Sequence, residues 1–81
     1  MGIEYKIKFA VPENYDPTSL FDGLPSPIDE DSKTEIYNYS IEADGFYFLD
    51  QLANHEVASV AFRRFIDEAL RLSQSVNIFE P

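Results

Sequence analysis

The chain has no cysteine and no tryptophan, and only one methionine, one histidine and three glycines among its 81 residues. Without cysteine there is no disulfide, no thiolate nucleophile and no soft metal ligand. That fits a reducing compartment, and a cytoplasmic protein is expected. Gly2, Gly23 and Gly45 stand too far apart to build a glycine-rich phosphate loop. Positive charge is also scarce: six Lys and Arg face fifteen Asp and Glu, for a net charge of −9. Such a chain repels a phosphate backbone, so nucleic acid is not an expected partner. No apolar run approaches the roughly 20 residues of a membrane-spanning helix. Met1 is followed by the alternating run GIEYKIK, not by a basic and then apolar leader. Neither a membrane segment nor a signal peptide is expected.

Aromatic residues are plentiful, with seven Phe and five Tyr, which argues for a packed core. Eighty-one residues allow one domain, spanning 1–81. A core this small is marginal without help, and self-association is one form of help.

The longest periodic stretch is Val57 to Leu72, VASVAFRRFIDEALRL. At 100° per residue, Ala58, Ala61, Phe62, Phe65, Ala69 and Leu72 share one side, widened by Ile66 and Leu70. Glu56, Arg63, Arg64, Asp67 and Arg71 lie opposite. This predicts an amphipathic helix resting its Phe side on a sheet, capped by Asn54 or Asp50. Asp67 and Arg71 have favourable spacing for an ion pair.

Ile3 to Val11 alternates strictly and predicts a strand that Pro12 ends. Residues 12–33 hold four of the five prolines. Within them, Asp16, Pro17 and Gly23 frame a helical turn near 17–22. Asp29 to Lys33 reads as a polar, mobile end of that loop. Thr34 to Glu42 and Phe46 to Leu49 read as strands joined at Asp44-Gly45. A two-residue turn there pairs Ile41 with Phe48. It gathers Tyr37, Tyr39, Ile41, Phe46 and Phe48 on one face, with Ile36, Asn38, Ser40, Tyr47 and Leu49 on the other. Residues 74–81 form a tail in which Val76 and Ile78 suit a short edge strand.

The expected fold is therefore α+β in two layers. An antiparallel sheet of three strands, or four with the tail, carries one long C-terminal helix on one face. A short helical turn sits in the first long loop. Strand order is left open.

Charge is placed unevenly. Residues 11–56 hold eleven carboxylates against Lys33 alone, whereas residues 57–81 are neutral. A basic protein would be drawn to that middle stretch. Asp29, Glu30, Asp31 and Glu35 are its candidate contact residues. The half-apolar outer sheet face and the flank of the helix suggest a homodimer through Ile36, Tyr47, Leu49, Ile66 and Leu70.

Motifs for chemistry are sparse. His55 beside Glu56 is the only candidate for a base or metal site in a small hydrolase. Adjacent helical residues diverge by 100°, and no HxH or HExxH spacing exists. The Asp29–Glu35 cluster departs from a helix-flanked calcium loop, with Thr34 at its sixth position and Ser40 at its twelfth. No catalytic residue, metal or cofactor is expected. The function expected is a non-enzymatic acidic interaction domain that neutralises or regulates a basic partner. A homo-oligomeric assembly subunit is the alternative.

Overall fold

The computed structural model describes residues 2–81. The order is β1 (Ile3–Lys8), α1 (Thr18–Asp22), β2 (Ile28–Asp29), β3 (Thr34–Glu35), β4 (Tyr37–Glu42), β5 (Gly45–Asp50), α2 (His55–Leu72) and β6 (Asn77–Phe79). Strands β4-β5-β1-β6 form one antiparallel sheet, and β2 and β3 form a separate ribbon. The fold is α+β with the long helix on one sheet face.

β1 lies in the sheet interior, between β5 and β6. It stops at Lys8, short of the Val11 expected from alternation. The reason is lack of partners: Lys8 already faces Gly45 and Asn77, the first residues of both neighbours. The backbone N–H of Phe9 still donates to the Asp44 carbonyl.

The inner face carries Tyr5 and Ile7 of β1, Phe46 and Phe48 of β5, and Tyr37 and Tyr39 of β4. α2 lays Phe62 between Tyr5 and Phe48, with ring centroids 4.5 and 5.2 Å away. Phe65 meets Tyr39, Phe46 and Phe48 within 5.7 Å. Ala58, Ala61 and Ala69 are buried and let the helix approach closely. Offset and edge-on ring pairs of this kind add to plain area burial.

The β4–β5 hairpin differs from expectation in register. Ala43 and Asp44 form the turn, Gly45 opens the return strand, and Ile41 faces Phe46 rather than Phe48. The shift is two residues in pairing, so the same side chains still share each face. Gly45 has φ +148, and a Cβ there would run into the Ile7 carbonyl oxygen. Glycine is needed at this position because β1 passes directly beside it, not because it completes a two-residue turn.

α2 begins at His55, with the Asn54 side chain accepting from the Val57 N–H at 3.2 Å. Asp50 instead accepts from the Leu52 N–H. The expected Asp67–Arg71 pair is replaced by Arg63 with Asp67 and Arg71 with Glu68. Glu68 is buried and draws Arg71 to itself.

Residues 12–33 are ordered by specific bonds. Asp16 accepts from the Thr18 N–H and hydroxyl, Pro17 stands at the N-terminal boundary of α1, and Gly23 ends it. Leu20 is buried. The Tyr15 hydroxyl donates to Glu68, and the Tyr37 hydroxyl donates to the Pro25 carbonyl. Two tyrosines thus fasten this loop to the helix and to the sheet.

Candidate functional site

The acidic stretch expected to be mobile is a ribbon. β2 and β3 pair Ile28 with Glu35 and Asp29 with Thr34. The Asp29 carboxylate accepts from the N–H groups of Asp31 and Ser32, which builds the turn. Lys33 takes a left-handed φ of 58 and its N–H returns to the Asp29 carbonyl at 2.7 Å. The ribbon makes no substantial packing contact with any other helix or strand among the described residues. It is joined to the sheet through Ile36, whose N–H reaches the Pro27 carbonyl and whose carbonyl accepts from Gln51.

Asp29, Glu30, Asp31 and Glu35 therefore stand together on one projection. Asp29 is half-buried and the other three are exposed. Beside them, the Gln51 side chain touches Glu35 at 3.5 Å and bonds Asn38. The next residue, Leu52, is 56% exposed and held at φ +62. A left-handed leucine is strained and its exposure gains nothing for the core. Ile28, opposite Glu35, is 40% exposed. Ile28 thus lies across the ribbon from Glu35, and Leu52 follows Gln51, whose side chain reaches Glu35. No local pattern in the loop Gln51-Leu52-Ala53 signals a left-handed backbone, so Leu52 is not legible from the sequence.

The five residues expected to form one dimer patch are dispersed. Ile36 is 4% exposed and belongs to the core, so it offers no surface to a second copy. Tyr47 and Leu49 lie half-buried on the outer sheet face. Ile66 packs against the core from α2, and Leu70 is 51% exposed on the same helix.

The outer sheet face holds a second charge network. Lys6 is only 9% exposed and bonds Glu42 and Asp44, the latter at 2.6 Å. Burial pulls its pKa down, but the hydrogen bonds to Asp44 and Glu42 outweigh this and raise it. The bond from Lys6 lowers the Asp44 carboxyl in return.

His55 opens α2 and is exposed, with Nε2 3.4 Å from the Ser59 hydroxyl. Among the described residues no carboxylate bonds the ring, so no group orients it as a base. No group of three or more His, Asp or Glu side chains able to hold a metal occurs among the described residues. Among the described residues no helix is long and apolar enough to cross a membrane.

Fold and surface together define a small two-layer α+β protein with an acidic ribbon and an open sheet face. No protein family, characterised protein or solved structure matches the chain.

Proposed function

We propose that the protein is a non-enzymatic interaction domain that binds a basic protein through its β2–β3 ribbon, in the cytoplasm. The observation that carries this reading is the joining of Asp29, Glu30, Asp31 and Glu35 on one projection, with exposed Ile28 paired across from Glu35 and exposed Leu52 next in the chain to Gln51, whose side chain reaches Glu35. Carboxylates steer a cationic partner and set its orientation. Strained, exposed Leu52 supplies an apolar anchor for it. The partner that fits is a segment carrying Lys or Arg around one or two apolar side chains. Occupying that segment would neutralise or regulate the protein bearing it. Nucleic acid is disfavoured by the same charge.

The test uses a lysine-rich amphipathic peptide and NMR shift mapping. Shifts should centre on residues 28–35 and Leu52. Affinity should fall steeply as salt rises. The triple variant E30Q/D31N/E35Q should abolish the specific shifts. A control triple, E13Q/D22N/E80Q, changes net charge equally and should leave them. Equal losses in both triples would reduce the ribbon to part of a general negative field and sink the reading.

A further inference from the structure

We propose that the open face of the sheet is the contact between two copies of this chain, packed about a twofold axis that crosses the strands at Lys6 and sets Glu4 of each copy on Lys8 of the other.

Both helices lie on the inner side, leaving the opposite face uncovered. Strand register arranges that face in rows. Asn38, Leu49 and Glu4 form the first row, and Ser40, Tyr47, Lys6 and Phe79 the second. Glu42, Gly45, Lys8 and Asn77 form the third. A twofold axis along the second row exchanges the first and third. Each Glu4 then meets the partner's Lys8, and each Asn38 amide meets the partner's Glu42. The middle row meets itself, bringing Tyr47 and Phe79 onto their own copies. Aligned sheets packed in this way turn by roughly 30°, which keeps the middle row in contact.

Three observations favour a second copy over any other occupant. First, the charges are self-complementary under the twofold, as an isologous interface requires. Second, this face is almost neutral in a molecule of net charge −9, so two copies meet here with least repulsion. Third, the charge at the centre is already neutralised. Lys6 is 9% exposed with Glu42 and Asp44 on its ammonium. Little hydration of that group remains to be lost when a partner arrives. Lys8, by contrast, is exposed and has no ion-pair partner among the described residues.

The footprint sets the strength. Three strands of six residues and one of three cover roughly 340 Å² per copy from standard strand spacings. That is below the area of long-lived complexes, so the dimer should dissociate on dilution. It is independent of the ribbon, which remains free to bind its basic partner.

Sedimentation velocity from about 10 µM to about 1 mM reads the association. The wild-type sedimentation coefficient should rise with concentration. Glu4→Lys and Lys8→Glu should each weaken association at least about fivefold, and the double swap E4K/K8E should restore it to within about twofold. Within one copy these residues are about 13 Å apart along the strand, so rescue can only arise between copies. Both are exposed, and circular dichroism checks that each variant folds. The single swaps move net charge in opposite directions. If one weakened and the other strengthened association, net repulsion alone would be at work and the proposal would fail. A wild type that stays monomeric at about 1 mM, or singles that weaken without rescue by the double, would also overturn it.

Discussion

Two residues illustrate how tightly single positions are held. Gly45 has φ +148 and no room for a methyl group beside Ile7, at the point where the β4–β5 hairpin joins β1. Gly45→Ala must therefore move one strand or strain the other. The expected loss is about 2–4 kcal/mol, read as a lower urea midpoint with unchanged slope. Glu68 is the second. Hydrogen bonds from Arg71 lower its pKa against the opposing pull of burial, and the Tyr15 hydroxyl adds to them. A carboxyl lowered in the folded state binds its proton more readily when unfolded. Its contribution is thus present above the unfolded value near 4.3 and is lost as pH falls through the folded one. Glu68→Gln should reduce stability at neutral pH and flatten the acid limb of the stability curve. Urea unfolding across the acid range checks both. An unchanged acid limb would assign acid sensitivity to other carboxylates.

At the scale of elements, the long loop is held by phenols. Burial pushes the Tyr37 hydroxyl up to about 12. Tyr15 is raised further, by burial first and then by its bond to Glu68. Both groups are neutral in the fold, and an unfolded phenol ionises near 10. Their contribution is complete below that value and is lost as pH rises through the folded values. The loop should release above pH ~10, seen as a step in phenolate absorbance coincident with loss of near-ultraviolet dichroism. Tyr15→Phe with Tyr37→Phe should cost about 1 kcal/mol each at neutral pH and move that step to higher pH. A step that stays in place would mean that other groups drive it. These anchors also mark what could be read from the chain beforehand. α2, the face-sharing of the aromatic residues and the α1 turn follow from local periodicity and capping, which depend only on near neighbours. The hairpin register does not, because Gly45 is fixed by contact with β1, 38 residues before it at Ile7. The ribbon was hidden for a similar reason. Ile36 breaks an apparently continuous strand by bonding Pro27 and Gln51, both remote from its own alternation. The burial of Glu68 is likewise set by Tyr15, 53 positions away in the chain. Of the candidate sites, the acidic positions were legible by composition, whereas Leu52 and the Glu4–Lys8 symmetry needed backbone angles and strand pairing.

At the scale of the whole molecule, charge acts twice and with opposite sign. Four of the fifteen carboxylates, Glu42, Asp44, Asp67 and Glu68, pair with a cation among the described residues. The rest repel one another at net charge −9, and folding brings them closer than they are in the open chain. Sodium chloride shortens the screening length from about 30 Å at 0.01 M to about 10 Å at 0.1 M. It should therefore raise stability, by roughly 0.5–1 kcal/mol over that range, read as a higher melting temperature. The same titration should weaken binding of a basic peptide, because screening also removes the attraction between ribbon and cation. Chloride is preferred to sulfate because sulfate strengthens apolar burial and would raise both quantities together. Opposite slopes for stability and binding identify one field acting on two processes. If stability instead fell with sodium chloride, the Lys6 and Arg71 networks would outweigh the repulsion, and the acidic surface would cost the fold little.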